Sequence, residues 1–179
     1  DNELTREEYY RLLSAAEKRG STRIKLIMET ICSTGIRVSE LRFITVEAAK
    51  VGLAKVNMKG KERIAVLPAG LCEKLLSYAD EKEIKNGSIF ITRNGLPVDR
   101  ANVLRSMKSL STLADVKASK LYPHNLRHLF AVTYYKKEGK LGYLADLLGH
   151  SSVDTTRIYT AISIDEQREK IEKLGLLSP

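Results

Sequence analysis

The sequence predicts a mainly α-helical protein with one small antiparallel β-sheet, an α+β fold. Along most of the chain, apolar residues recur at intervals of three and four, the period of a helix that buries one face. Residues 53–67 instead alternate apolar and polar side chains, as half-buried strands do. The 179 residues are 43% hydrophobic and 29% charged, which is typical of a globular chain long enough to bury a core.

The first helices have recognisable ends. Thr5 followed three residues later by Glu8 is the capping-box pattern, so a helix is predicted to begin there. A second helix is predicted from an apolar stripe at Ile24, Ile27, Met28 and Ile31. It should end at Gly35, since glycine is the usual residue past a helix end. A further short helix is expected from about Val38 to Phe43.

The alternating stretch "LAKVNMKGKERIAVLP" predicts a β-hairpin with Gly60 in its turn and Pro68 at its end. Helical periodicity returns in "GLCEKLLSYADEK". The segment "SIFITRNGLPV" predicts a short strand and a turn, and "DRANVLRSMKSLSTLADV" predicts helix again.

The last third of the chain is also predicted to be helical. "YPHNLRHLFA" should begin a helix near Pro123 that buries Leu126, Leu129 and Phe130. A second stripe follows at Leu144, Leu147 and Leu148. The tail "SIDEQREKIEKLGLL" is amphipathic, with Ile164, Ile171 and Leu174 on one side.

We expect one domain over residues 1–179. No apolar run approaches the roughly 18 residues of a membrane span, and the opening "DNELTREEYY" lacks the apolar centre of a signal peptide. Because the first residue is not methionine, the chain is expected to be a fragment of something longer. Cys32 and Cys72 form no metal pattern and are interpreted as buried apolar fillers in the reducing cytoplasm.

The net charge of +8 suits a polyanionic partner, because neutralising phosphates releases condensed counterions. The alternative is a lysine-rich soluble protein whose charge has no such role.

His124 and Arg127 are three residues apart in the first turn of a predicted helix, so they share a face. Free backbone N–H groups and the helix dipole favour an anion there, and phosphate is the natural occupant. His128 flanks the apolar stripe, where a satisfied structural role is favoured over a ligand role. A zinc site and a catalytic serine are disfavoured, because the chain contains neither an HExxH nor a GxSxG pattern.

Tyrosine chemistry fits these residues better. A phenol with a pKa near 10 is a poor nucleophile at neutral pH, so it needs a neighbouring base and a charge-neutralised target. Two guanidiniums on a phosphodiester would provide the second requirement. Arg127 is one candidate, and Arg37 in "CSTGIRVSEL" is the other.

Four segments in order carry a resemblance to a known family: "TGIRVSEL", "KGKER", "HNLRHLFA" and "LLGHSSVDTTRIYT". Together they resemble the catalytic domain of the tyrosine recombinases, the phage-integrase family, and its Xer-like branch in particular, from about Leu4 to Ile171. The resemblance implies the tyrosine-recombinase catalytic-domain fold. The catalytic residues it implies are Arg37, Lys59, His124, Arg127, His150 and Tyr159, with Tyr159 as the nucleophile.

The lysine assignment leaves an alternative. Relatives carry a catalytic lysine on the hairpin after the first arginine, usually in a turn like G-K-G-x-K. Here the turn is one residue shorter, and Met58 replaces the usual glycine. Lys59 matches the pattern better than Lys61. Glu40 matches an acidic position of the family and is expected to orient Arg37.

The resemblance implies that Tyr159 attacks a DNA phosphodiester, forming a 3′-phosphotyrosyl intermediate without metal, ATP or another cofactor. It implies double-stranded DNA as partner and a homotetramer on DNA, in a bacterial or phage-type setting on the nucleoid. The tail is expected either to contact a neighbouring subunit or to pack on its own domain. Three alternatives remain: a type IB topoisomerase-like relaxing enzyme, a hydrolytic nuclease, and a DNA-binding relative without catalysis. Residues 1–179 would be the catalytic domain of a longer integrase, without its N-terminal DNA-binding domains.

Overall fold

The computed structural model describes residues 2–149 and 164–179 and is mostly helical, with a two-stranded antiparallel sheet, as predicted. The α-helices are α1 (Arg6–Lys18), α2 (Thr22–Thr34), α3 (Val46–Val51), α4 (Ala69–Glu81), α5 (Arg100–Lys108), α6 (Ser111–Ala114), α7 (Pro123–Glu138), α8 (Leu141–Leu148) and α9 (Ile164–Glu172). Two 3₁₀-helices span Val38–Phe43 and Ala118–Lys120, and the strands are β1 (Leu53–Met58) and β2 (Lys61–Val66).

The predicted ends of the first two helices are confirmed. The Thr5 hydroxyl accepts a bond from the Glu8 N–H, and the Glu8 carboxylate accepts one from the Thr5 N–H, which completes the capping box of α1. α2 ends at Gly35 in the left-handed conformation, with φ at 70°. A Cβ at this position would lie 2.5 Å from Cδ1 of Phe130, so the missing side chain also lets α7 approach α2 closely.

The hairpin is confirmed, with a two-residue turn. Met58 pairs with Lys61, which leaves Lys59 and Gly60 in the turn with φ of 54° and 75°. Positive φ at both central residues is the signature of the type I′ turn, whose twist matches that of the strands. Arg63 pairs with the buried Val56, so it lies on the strand face that packs toward the protein.

Two segments differ from the sequence prediction. Helix α3 was not predicted; it is short and is capped by the Thr45 side chain and by Gly52. Residues 88–98 form no regular strand and make only the isolated bridges Thr45–Ser88 and Ile91–Pro97. The segment folds back on itself: the Val98 N–H donates to the carbonyl of Phe90, and the Thr92 N–H donates to that of Leu96. Its backbone groups therefore pair across a turn and form no extended ladder.

The buried apolar side chains form one continuous cluster that runs from Leu4 to Leu176. Helix α2 lies at its centre and packs against α1, α4 and α7. The tail packs on this same core: Ile171 and Leu174 are buried as predicted, whereas Ile164 is exposed.

The two cysteines differ in burial. Cys32 is fully buried in α2, and desolvation raises the pKa of its thiol well above the ordinary value. Cys72 is only partly buried, so its interpretation as a core residue was too simple. None of the helices formed by residues 2–149 and 164–179 is both long and apolar enough to cross a membrane.

Candidate active site

Arg127 is buried where three helices meet. It lies in the second turn of α7 and is only 6% exposed. Its Nη1 donates a 2.6 Å hydrogen bond to the carbonyl of Gly35 at the end of α2, and its Nη2 donates a 2.7 Å bond to the carbonyl of Leu148 at the end of α8. Helix C-termini carry orphan carbonyls and partial negative charge, so a cation stabilises both ends. Arg127 therefore ties α2, α7 and α8 together.

The charge of Arg127 is held in an unfavourable setting. The pKa of Arg127 is lowered from 12.5 to about 10, mainly by burial and also by the neighbouring Arg37 and Arg63 charges, while the Glu40 carboxylate opposes the shift. At neutral pH the guanidinium remains protonated. An anion placed beside it would offset both the energetic cost of its lost hydration and the repulsion among the arginines.

Arg37 lies two residues after Gly35 and is the N-cap of the first 3₁₀-helix. Its side chain is 41% exposed, and its Nη1 is 3.3 Å from Oε1 of Glu40. Its backbone N–H donates a 2.7 Å hydrogen bond to Oε2 of the same carboxylate. Glu40 thus holds the Arg37 backbone firmly and the guanidinium loosely, in agreement with the expectation that it orients Arg37.

Glu40 has a second arginine partner. The carboxylate is fully buried, and its Oε2 accepts a 2.6 Å hydrogen bond from Nη2 of Arg63 on β2. Nη1 of Arg63 donates a 3.2 Å bond to the carbonyl of Leu147 in α8. Burial lowers the pKa of Arg63, and the Glu40 charge opposes that shift.

The hairpin places both candidate lysines at its tip. Lys59 is exposed in the turn, and Lys61 is the first residue of β2. Lys61 lies on the strand face that also carries Arg63, because the two are separated by one residue. Nearby, the Arg42 guanidinium lies 3.7 Å from Sδ of Met58, which connects the hairpin tip to the 3₁₀-helix. The structure leaves Lys59 and Lys61 as neighbouring alternatives.

The two histidines of α7 have different surroundings. His124 is exposed in the first turn of the helix, one turn before Arg127. Nε2 of His128 lies 3.2 Å from Oε1 of Glu3, so this ring has a structural partner, as predicted. His150 and Tyr159 lie outside the described residues.

Arg63 is the site residue that the sequence interpretation missed. It lies in a lysine-rich hairpin, yet its side chain turns inward to Glu40 and is only 15% exposed. The strand period did not signal this, because Arg63 alternates with Ile64 and Val66, the larger apolar residues that the pattern would place toward the core. In the structure, Arg63 lies on the face of β2 that packs toward the protein, and it is paired there with Glu40.

The described part of the site is suited to binding a phosphate. Three guanidiniums, those of Arg37, Arg63 and Arg127, lie close to one buried carboxylate, so positive charge remains in excess. Arginine presents paired N–H donors that match phosphate oxygens. Within residues 2–149 and 164–179, no three His, Cys, Asp or Glu side chains are grouped as metal ligands.

Comparison with known proteins agrees with this fold. Residues 2–166 match the model of the phage integrase family, and the chain belongs to that family.

Curated relatives point to its Xer branch. The chain is 33% identical over 173 residues to the tyrosine recombinase XerH of Campylobacter jejuni, covering 91% of this chain and 49% of the relative. It is 33% identical over 156 residues to the tyrosine recombinase XerD of Staphylococcus saprophyticus, covering 82% and 52%. The chain therefore spans about half the length of the curated relatives it matches.

Solved structures show the same fold. A crystal structure of XerA recombinase matches with a TM-score of 0.71 and 28% identity, over 96% of this chain and 62% of the other. XerH site-specific recombinase bound to its difH substrate in a pre-cleavage complex matches with a TM-score of 0.72 and 27% identity, over 94% and 53%. These relatives confirm the predicted resemblance and fold class, and the relatives themselves are named recombinases.

Proposed function

We propose that the chain is the catalytic domain of a site-specific DNA recombinase that cuts and rejoins duplex DNA through a tyrosine. The observation that carries the proposal is the pair of arginines at the end of α2. Arg37 and Arg127 come from segments 90 residues apart, yet both are anchored beside Gly35. Such a pair of guanidiniums, with their backbones fixed beside each other, would bind the two non-bridging oxygens of a phosphodiester.

In the proposed reaction, the phenol oxygen of Tyr159 attacks the phosphorus and the bond from phosphorus to the 5′-oxygen breaks. The phenolic proton passes to His124, and Lys59 donates a proton to the departing 5′-oxygen. Arg37, Arg127 and His150 stabilise the charge that develops on the pentacoordinate phosphate. The products are a 3′-phosphotyrosyl link and a free 5′-hydroxyl.

The second half of the reaction is the reverse step with a new partner. A 5′-hydroxyl from another strand attacks the phosphotyrosine, and Tyr159 leaves with a proton returned to it. Because one phosphate ester is exchanged for another, the reaction needs neither ATP nor a metal ion. Each arginine contributes a positive charge. It stabilises the negative charge of the phosphate most strongly at the transition state, where that charge is greatest.

Double-stranded DNA is the proposed partner, and nucleoid DNA in the cytoplasm of a bacterium is the proposed setting. The excess of eight positive charges supports this, as does the relative solved on its DNA site. We further propose that four copies assemble on DNA and that residues 1–179 act as one catalytic domain of a longer integrase.

The tail is proposed to contact a neighbouring subunit in that assembly. In the isolated chain it is seated on its own core, where Tyr9 and Tyr10 hydroxyls donate to the carbonyls of Leu176 and Gly175. A second copy carries the same binding surface for the tail. Exchange of tails between copies would therefore preserve these bonds while linking the subunits.

The test is covalent trapping. The chain is incubated with nicked duplexes that carry a randomised core, so that a short 5′-hydroxyl fragment diffuses away after cleavage. A protein–DNA adduct that survives denaturation and maps to Tyr159 is the expected result, and Tyr159→Phe should abolish it. Tyr135→Phe is the matched control, because Tyr135 is an exposed tyrosine on α7. An adduct on another tyrosine contradicts the residue assignment. Absence of an adduct from a full-length protein that binds DNA specifically contradicts the function.

A further inference from the structure

Arg63 joins three segments that carry proposed catalytic residues. It lies on β2, next to the turn that contains Lys59. Its guanidinium bonds to Glu40, three residues after Arg37, and to the carbonyl of Leu147 at the end of α8. These bonds bridge 23 and 84 residues of sequence, so they fix how the hairpin sits against both partners.

The Glu40 carboxylate requires this partner. It is fully buried, and burying an unpaired carboxylate is strongly unfavourable. Its Oε2 bonds to the Arg37 N–H and to Arg63, at 2.7 and 2.6 Å, while Oε1 is 3.3 Å from the Arg37 guanidinium. The Arg63 bond is the shorter of the two guanidinium contacts. Arg63 therefore neutralises most of the Glu40 charge, and the more exposed Arg37 keeps its own charge for another anion.

Arg63 also packs against the residue that ends α8. Gly149 has φ at 65°, and a Cβ there would lie 2.5 Å from Cδ and Nε of Arg63. The side chain of Arg63 thus occupies the space that a side chain at position 149 would need. Gly149 directly precedes His150 in the sequence.

We propose that Arg63 is a positioning residue of the active site: it neutralises Glu40 so that the Arg37 guanidinium remains available to the phosphate, and it holds the hairpin against the end of α8. The proposal rests on the proposed function, since it assigns Arg37 to the phosphate. Without Arg63, Glu40 would pair fully with Arg37 and withdraw it from the phosphate.

The kinetic test compares Arg63→Gln, Arg63→Lys and the double variant Arg63→Gln/Glu40→Gln in single-turnover adduct formation at saturating protein. Arg63→Gln should slow the maximal rate by about 100-fold, the usual effect of losing one charge-stabilising donor, with little change in DNA affinity. The rate of Arg63→Lys should lie between those of the wild type and Arg63→Gln, because lysine keeps the positive charge but lacks the paired N–H donors of a guanidinium.

The double variant separates charge neutralisation from simple structural support. A glutamine at position 40 can still accept the Arg37 N–H bond but carries no charge to compete for the guanidinium. The double variant should therefore be roughly tenfold faster than Arg63→Gln. If Arg63 served only as structural support, the second change would leave the rate unchanged or lower it further.

Arg23→Lys is the matched control. Arg23 is a partly buried arginine that donates a 2.7 Å bond to the carbonyl of Ile91 and lies at the opposite end of α2 from Gly35. It should react at the wild-type rate. Thermal unfolding of every variant identifies those that fold.

A second readout needs no DNA cleavage. Inorganic phosphate is titrated into ¹⁵N-labelled protein while the Nε–Hε signal of Arg37 is followed by NMR. Arg63→Gln should weaken phosphate binding by roughly tenfold, and the double variant should restore it. If the wild type forms no adduct but phosphate binding follows this pattern, the proposed recombinase function fails and the role of Arg63 stands. If Arg63→Gln matches the wild type in both phosphate affinity and adduct rate, the role of Arg63 is overturned.

Discussion

At the scale of single residues, the arginines of the site have structural and chemical duties that are hard to separate. Arg127 binds the carbonyls that end α2 and α8, so its loss would leave two buried acceptors without a donor. An unsatisfied buried polar group costs about 1–3 kcal/mol. A variant of Arg127 would therefore change the stability of the protein along with any rate. The exposed lysines of the hairpin turn allow a cleaner experiment.

Lys59→Asn should remove the proposed general acid without unfolding the hairpin. Asparagine adopts the left-handed conformation more readily than lysine, and Asn-Gly is a favoured type I′ turn, so the unfolding free energy should rise slightly or stay the same. Adduct formation should fall by about 10²- to 10⁴-fold, the usual contribution of a general acid. Substrates with a 5′-bridging sulfur should recover most of the rate, because a thiolate leaves without a proton.

Lys61→Asn is the control for this prediction and should keep most of the wild-type rate. If Lys61→Asn is the slow variant and the bridging sulfur rescues it, the lysine assignment is wrong and Lys61 is the acid.

At the scale of elements, the end of α2 determines where the arginines lie. Gly35 turns the chain out of the helix, so that Arg37 caps the next 3₁₀-helix beside the carbonyl that Arg127 binds. The same glycine allows Phe130 of α7 to pack directly against the turn. A single residue without a side chain thus sets both the backbone direction and the spacing of two helices.

Gly35→Ala should destabilise the protein by about 2–4 kcal/mol, the sum of left-handed strain and overpacking against Phe130. Gly20→Ala is the matched control, because Gly20 has the same φ of 70° and a Cβ added there would meet nothing within 4 Å. It should cost only about 1 kcal/mol from backbone strain. Urea denaturation measures the free energy of unfolding of both variants. Equal losses would show that the contact with Phe130 does not contribute to the cost of Gly35→Ala.

At the scale of the whole molecule, the C-terminal tail closes the core. Ile171, Leu174 and Leu176 are buried in the same cluster as the residues of α1 and α2. The buried carboxylate of Glu29 accepts a 2.9 Å bond from Lys74 and a 3.0 Å bond from the N–H of Ser178. The tail is therefore held by the burial of its apolar side chains and, at its end, by a hydrogen bond to the carboxylate of Glu29.

Leu176→Ala should lower the unfolding free energy by about 2–4 kcal/mol, because it leaves a cavity in the closed core. Leu96→Ala is the comparison, since Leu96 is 64% exposed and should change the free energy by less than about 0.5 kcal/mol. Denaturant unfolding monitored by circular dichroism measures the difference. A loss at Leu176 no larger than that at Leu96 would mean that the tail is not part of the cooperative core.

The sequence by itself determined those features whose interactions are short in range. The capping box of α1, the stop at Gly35 and the Lys59–Gly60 turn each depend on residues a few positions apart, so their patterns predict them directly. The order of the four motifs was enough to identify the family. Helix α3 was not predicted, and the strand predicted within residues 88–98 does not form although the turn does, because these short patterns are outweighed by their neighbours in the fold.

Only the tertiary structure decided how the charges of the site are paired. The Arg63–Glu40 bond joins residues 23 positions apart, and the Arg127–Leu148 bond joins residues 21 apart. No local pattern encodes such pairs, because they exist only once α2, α7, α8 and the hairpin have packed together. The sequence therefore named Arg37 and Arg127, while the packing of the core determined that Arg63 turns inward and shares the carboxylate of Glu40.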